Sequence, residues 1–98
     1  MLDRISKNED RLDSILKCID NLDSALIDFK CNKNNLRLLN NYYGSKNWFK
    51  DKEDYENKKI EQVKAGVLSE DAVWNLNDDI KDLLDNMENI IKEYKSML

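Results

Sequence analysis

The sequence contains no histidine and no proline, and it has only two glycines and two cysteines. Without histidine, the chain lacks the commonest general base and the commonest metal ligand of proteins. Without proline and with so few glycines, a turn-rich β fold is disfavoured and long uninterrupted helices are favoured. These absences make an enzyme the least favoured class, and we expect neither a cofactor nor a metal.

The length of 98 residues is that of one domain. No run of 18 apolar residues occurs, so we expect no membrane span. The start of the chain, MLDRISKNEDRLD, has charges every few positions, so we expect no signal peptide. Cys18 and Cys31 lie about 20 Å apart on one predicted helix, too far for a disulfide. Free thiols are typical of a reducing compartment, and we expect a cytoplasmic protein.

Apolar residues recur every seven positions in the first 43 residues, in two rows that are offset by three. This is the a and d pattern of a helical seam, and it predicts one helix over 2–43. The rows are Ile5, Leu12, Ile19 and Leu26, and then Ile15, Leu22, Phe29, Leu36 and Tyr43.

The last third of the chain repeats the pattern and predicts a second long helix over 70–97. Ser69 is a good N-cap for this helix, and acids follow it where the helix dipole favours them. The rows are Val73, Ile80, Met87 and Tyr94, and then Leu76, Leu83, Ile90 and Met97.

A short helical connection over 45–66 is predicted between the two long helices. Gly44 is placed to end the first helix, and Ser45 is placed to cap the next one. Trp48 and Phe49 are expected in the core, while Ile60 and Val63 suggest a further turn that closes at Gly66. The predicted fold is all-α, a single domain over 1–98 in which two long antiparallel helices form a coiled-coil-like hairpin with one or two short helices in the connection.

Two separated motifs in this chain resemble a small bacterial family. They are Tyr42-Tyr43-Gly44-Ser45 with Trp48-Phe49, and Gly66-Val67-Leu68-Ser69-Glu70-Asp71-Ala72-Val73. They are similar to the domain of unknown function numbered four-two-nine-eight, from Gram-positive bacteria and their mobile elements. The resemblance implies a compact all-helical protein and transfers no reaction, cofactor or catalytic residue. The chain departs from the family pattern at 50–65, where the stretch KDKEDYENKKIEQVK is rich in lysine.

Negative charge is concentrated in residues 67–98, which carry eight acids and three bases. Asp71, Asp78, Asp82 and Asp85 share one outer face of the last predicted helix. This face either binds a basic surface, forms a weak cation site, or is simply solvated, and the cation site is disfavoured because the sequence supplies no convergent third or fourth ligand. Trp74 lies off the seam, and it either packs on the connection or anchors a partner. The predicted partner-binding residues are therefore these four aspartates and Trp74. Structural turn roles are predicted for Tyr42, Tyr43, Gly44, Ser45, Gly66 and Ser69.

The sequence favours a non-enzymatic protein that binds and inhibits or adapts a protein partner with a basic surface. Direct nucleic-acid binding and membrane binding are disfavoured, and a homodimer is left open. A specific version is a phage or mobile-element inhibitor of a bacterial defence nuclease, similar to an anti-CRISPR protein. The alternative is a structural or secretion-associated hairpin, since Tyr42-Tyr43-Gly44 lies where the secreted Trp-x-Gly proteins have their turn.

Overall fold

A computed structural model describes residues 2–62 and 64–98 of the chain. The described residues form four α-helices and one 3₁₀ turn, and no strand occurs among them, so the all-α prediction is confirmed. The helices are α1 (Leu2–Cys31), α2 (Lys33–Tyr42), α3 (Lys46–Glu56) and α4 (Ala72–Met97), and the 3₁₀ turn is Gly66–Leu68. By its contacts the chain divides into two compact units, Met1–Arg37 and Leu38–Leu98. The single domain and the antiparallel hairpin stay predictions.

The first unit consists of α1 and the beginning of α2. No residue of α1 is buried, and its heptad side chains are exposed along the whole helix. Leu22, in the middle of the predicted seam, is 55% exposed. Because a water-exposed apolar stripe of this length is unfavourable, this helix presents a face that needs a covering surface.

The predicted helix over 2–43 is divided at Asn32, which lies between α1 and α2. The side-chain amide of Asn32 donates to the carbonyl of Asp28 at 2.9 Å, and the backbone N–H of Asn32 is shared between the carbonyls of Asp28 and Phe29. Asparagine side chains compete with the backbone for such bonds, which is why asparagine is a poor helix former. The break follows from this local competition.

The core of the second unit is small. Its buried apolar residues among those described are Trp48 of α3, Leu68 of the 3₁₀ turn and Val73 of α4. The 3₁₀ turn packs against both α3 and α4, so it holds the short helix beside the beginning of the long one. The prediction that Phe49 lies in this core is wrong, because its side chain is 61% exposed. Successive helix positions point about 100° apart, and burial of Trp48 turns its neighbour toward water.

The predicted connection over 45–66 consists of α3 and the beginning of the 3₁₀ turn. Gly44 has a φ of 77°, the left-handed conformation that ends a helix cheaply only at glycine. Ser45 is the N-cap of α3, and its hydroxyl accepts a hydrogen bond from the backbone N–H of Trp48 at 3.2 Å. After Glu56, Ile60 lies in a non-helical stretch, and the predicted role of Val63 falls outside the described residues.

The helix α4 begins at Ala72, two residues later than predicted. Asp71 occupies the cap position without a capping side-chain bond, and the hydroxyl of Ser69 accepts from the N–H of Ala72 at 3.0 Å. Most of the apolar face of α4 is exposed after Val73, with Leu83 at 48%. None of the helices in the described chain has the length and apolar character required to cross a membrane.

Candidate functional site

Trp74 and Asp78 line the same shallow, open depression on the surface of the second unit, of about 140 Å³. The other lining residues are Tyr43, Asn77 and Lys81. Trp74 is 62% exposed, so it does not pack on the connection, and its role as an anchor for a partner stays a prediction. The depression combines two aromatic rings with a carboxylate and an ammonium group. Such a surface can bind a mixed polar and apolar side chain, but it does not enclose a small molecule.

The acidic strip consists of Asp71, Asp78, Asp82 and Asp85, and all four residues are exposed. Only Asp78 reaches the depression, while Asp82 and Asp85 lie further along α4 and Asp71 lies at its cap. Among the described residues none of the four forms a salt bridge, since the ion pair found there joins Lys52 and Glu70. Apolar positions of α4 lie on the opposite face at helical spacing, so the strip occupies the side of the helix that carries no packing.

Tyr42 connects the end of α2 to α3. Its hydroxyl donates to a carboxylate oxygen of Asp51 at 2.7 Å. Partial burial, this hydrogen bond and the negative charge of Asp51 raise the pKa of Tyr42 from 10.0 to about 12. The neutral phenol is therefore held as a donor, which is consistent with a structural role at this turn.

Tyr43 lines the depression, and its hydroxyl reaches the residues just before α4. The hydroxyl donates to the backbone carbonyl of Glu70, and the ring packs edge-on against Trp48 with centroids 5.2 Å apart. The hydrogen bond and the edge-on contact together restrict the orientation of the Tyr43 ring. Tyr43 therefore has a fixed position beside Trp74.

Lys52 also contacts Trp48. Its ammonium is 5.3 Å from the centroid of the Trp48 ring and 2.9 Å from a carboxylate oxygen of Glu70. The hydrogen bond to Glu70 raises the pKa of Lys52. The backbone of Glu70 is held by Tyr43, in the turn after α2, and its side chain is held by Lys52 of α3.

Asn77, on the wall of the depression, is held by a reciprocal amide pair with Asn40. The two side chains exchange hydrogen bonds of 2.8 and 3.1 Å, and Asn77 also donates to the carbonyl of Val73 at 2.9 Å. These bonds connect α2 to α4 within the second unit. They fix the Asn77 side chain in the lining of the depression, whereas Trp74 in the same lining is 62% exposed.

Sequence reasoning missed Asn77 and Lys81 as site residues, and it assigned Tyr43 only to the turn. The spacing of three and seven residues from Trp74 places Asn77 and Lys81 near its face of the helix, and that signal is present in the sequence. No such signal exists for Tyr43, which lies 31 residues before Trp74 and reaches it only through the fold of the second unit.

Within residues 2–62 and 64–98, no group of three His, Cys, Asp or Glu side chains is placed to hold a metal ion. Cys18 and Cys31 are both free and exposed on α1. The depression presents aromatic, amide, carboxylate and ammonium groups from its lining residues.

Similarity to known proteins is found at the level of the family. Nothing matches among the curated proteins or among the solved structures. The model of one family, described as a domain of unknown function (DUF4298), matches residues 5–90. This match covers most of the chain and agrees with the resemblance carried by the two motifs. The chain therefore belongs to the DUF4298 family.

Proposed function

We propose that this protein acts without catalysis, by binding a basic surface of another protein through Trp74 and the acidic strip. The observation that carries the proposal is the placement of Trp74. This large aromatic side chain is 62% exposed beside a depression whose other aromatic wall, Tyr43, is fixed by the core. Tryptophan and tyrosine are enriched among the residues that dominate binding energy at protein interfaces.

The charge of the strip supports a basic partner. Asp78 and Asp82 are four residues apart, a spacing at which like charges on a helix repel. This repulsion weakens the helix. The same concentration of negative charge, however, increases the rate of encounter with a positively charged surface. Lys81 at the rim of the depression supplies one positive charge, so the partner surface need not be uniformly basic.

The antiparallel pairing of α1 with α4 is part of the proposal, and the heptad rows support one register for it. In this register the sum of the two residue numbers in each pair is constant along the seam. Tyr94 faces the polar Asn8 in this register, and the other pairs are Ile5 with Met97, Leu12 with Ile90, Ile15 with Met87, Ile19 with Leu83, Leu22 with Ile80, Leu26 with Leu76 and Phe29 with Val73. Apart from the pair of Tyr94 with Asn8, the pairs are apolar, and the pairing would cover the exposed rows of both helices.

The residues that flank this seam on one side have complementary charge. The g positions of α1 include Arg4 and Arg11, and the g positions of α4 include Asp79 and Glu93. In an antiparallel pair the g positions of the two helices face each other, so Arg4 and Arg11 would lie near Glu93. We call this side of the proposed hairpin the charged edge.

A narrower form of the proposal is an inhibitor of a bacterial defence nuclease, in which the acidic strip imitates the charge of nucleic acid. Only the strip supports it. The runner-up is a structural or secretion-associated hairpin, which the exposed apolar face of α1 favours, since that face could pack in a larger assembly. Binding that depends on the acidic strip favours the inhibitor, and binding that depends on the apolar seam favours the structural hairpin.

The test is affinity capture from a host lysate with four forms of the chain. We expect the parent chain to retain a protein that is lost with Trp74→Ala and with the triple variant Asp78→Asn/Asp82→Asn/Asp85→Asn. The matched control, Asp3→Asn/Asp10→Asn/Asp28→Asn, removes the same charge from outer positions of α1 and should retain it. Capture should also weaken as salt rises, because exposed charges are screened beyond about 10 Å at 0.1 M. Equal capture by all four folded forms would contradict the proposal.

A further inference from the structure

Trp74 and Asp78 are neighbours on the surface of α4. They are four residues apart within one helix, a spacing at which two side chains lie next to each other, and both line the depression of the second unit. Asp78 is exposed, and among the described residues its carboxylate forms no salt bridge. A carboxylate has several acceptor positions. One ligand group can therefore contact the indole ring and the carboxylate at the same time.

The other polar groups of the depression are largely occupied. The side-chain nitrogen of Asn77 donates to Asn40 and to the carbonyl of Val73, which uses both of its N–H groups, and the side-chain oxygen accepts from Asn40. The hydroxyl of Tyr43 donates to the carbonyl of Glu70. The chemistry of a ligand is therefore decided by the two charged lining residues, Asp78 and Lys81.

The aromatic rings decide which sign of charge the depression favours. The face of an aromatic ring is negative, so it attracts cations and repels anions. Two rings, those of Tyr43 and Trp74, line the depression. The surrounding charge acts in the same direction, because residues 71–82 carry four acids and a single base, Lys81. A cationic ligand with Asp78 as its counter-ion is therefore favoured over an anion bound to Lys81.

We propose that the depression binds an arginine side chain of the partner protein, with the guanidinium stacked on Trp74 and hydrogen-bonded to Asp78. The inference rests on the proposed function and names the group that is recognised. A guanidinium is planar and weakly hydrated, so it stacks on a ring while its edge donates two hydrogen bonds to one carboxylate. A lysine ammonium is strongly hydrated, and a shallow, open depression does not replace its water. A quaternary ammonium has no N–H group to donate to Asp78.

This assignment separates the roles of the aspartates in the acidic strip. Asp78 contacts the bound arginine, whereas Asp82 and Asp85 lie outside the lining of the depression and act through long-range attraction. Removal of Asp78 should therefore increase the rate of dissociation, and removal of Asp82 or Asp85 should mainly lower the rate of association.

The test is an NMR titration of the isotope-labelled whole chain with a short peptide of alternating glycine and arginine. The chain has two tryptophans, and the buried Trp48 provides an indole signal that serves as an internal reference. We expect the indole N–H signal of Trp74 to shift with the arginine peptide and that of Trp48 to stay in place. Matched peptides with lysine or uncharged citrulline in place of arginine, and tetramethylammonium, should shift Trp74 far less.

Substitutions then assign the charged partner. Asp78→Asn should weaken binding of the arginine peptide about 10-fold, because it removes the charged acceptor. The matched control, Asp79→Asn, removes the same charge one residue later, on the charged edge, and should change the affinity by no more than about twofold. Lys81→Gln should strengthen binding, because it removes a like charge beside the arginine. The comparison of peptides needs no substitution, so it remains decisive if a variant fails to fold.

Equal shifts of Trp74 with the arginine peptide and with the lysine peptide or tetramethylammonium overturn the arginine assignment and leave a basic partner standing. Equal weakening by Asp78→Asn and Asp79→Asn also overturns it. A larger shift with a glutamate peptide, lost in Lys81→Gln, overturns both the arginine and the proposed function. No shift of Trp74 with any of these probes overturns the arginine, and the proposed function then stands only if capture from the host lysate still depends on Trp74 and the acidic strip.

Discussion

The indole N–H of Trp48 donates a hydrogen bond to the backbone carbonyl of Val67 at 2.9 Å. This bond joins α3 to the 3₁₀ turn across 19 residues of sequence, and Trp48 is 4% exposed. Because Tyr43, Phe49 and Lys52 all contact the same indole, Trp48 is the centre of the second unit.

Replacement of Trp48 should therefore destabilise the second unit strongly. Trp48→Phe keeps an aromatic ring and leaves the Val67 carbonyl without its donor, which should lower the free energy of unfolding by about 1–3 kcal/mol. Trp48→Ala should cost about 3–5 kcal/mol, because it also leaves a cavity. Urea unfolding followed by circular dichroism measures both. Trp74→Phe, at an exposed position, should change stability by no more than about 0.5 kcal/mol, and an equal loss there would contradict the assignment.

The stability of the chain should fall at high pH through Tyr42. Its pKa is raised from 10.0 to about 12, so between these values the folded state binds more protons than the unfolded state. Stability decreases with pH wherever that holds, and the contribution is complete below pH 10 and lost as the pH passes 12. A tyrosinate absorbance titration should show this late deprotonation. Tyr42→Phe should remove it and flatten the alkaline loss of stability, and a late deprotonation that persists in the variant would contradict the assignment.

The two glycines should respond differently to alanine. Gly44 has a φ of 77°, and no atom lies within 4 Å of the position that a Cβ would occupy, so Gly44→Ala meets backbone strain and no steric clash. We expect a loss of about 1–2 kcal/mol, and a smaller loss for Gly44→Asn. Gly66 also has open space and no left-handed backbone, so Gly66→Ala should be neutral or slightly stabilising. Thermal melts of the three variants check this, and equal losses at both glycines would refute it.

The proposed hairpin register predicts that Cys18 lies near Asn86, since both occupy g positions at nearly the same level of the seam. In a Cys31→Ser background, Asn86→Cys should give efficient linkage within one chain by a short bifunctional thiol reagent. Asn89→Cys, on the outer face of α4, is the matched control and should link poorly. Denaturing gels and mass spectrometry separate links within a chain from links between chains. Equal linkage of the two variants would rule out this register.

The helices of this protein were predictable because their signals are local. Heptad rows of leucine and isoleucine indicate α1 and α4, a glycine followed by a serine indicates the turn at Gly44 and Ser45, and two sequence blocks indicate the family. The break at Asn32 was not predicted, although the local asparagines carried a signal for it. The seven-residue repeat of apolar residues continues on both sides of Asn32, so it predicts an unbroken helix. The repeat does not take into account that the Asn32 side chain hydrogen-bonds to a backbone carbonyl.

The sequence by itself determined the helical class, the turn residues, the placement of negative charge on α4 and the apolar rows of both long helices. The tertiary structure decided which aromatic residues are buried, since Trp48 enters the core while Phe49 and Trp74 stay exposed. It also brought Tyr43 to Trp74, Tyr42 to Asp51 and Asn40 to Asn77. The physical reason is range. Helix formation and capping depend on neighbours within about four residues, whereas these contacts join side chains 9 to 37 residues apart and exist only after α2, α3 and α4 have packed.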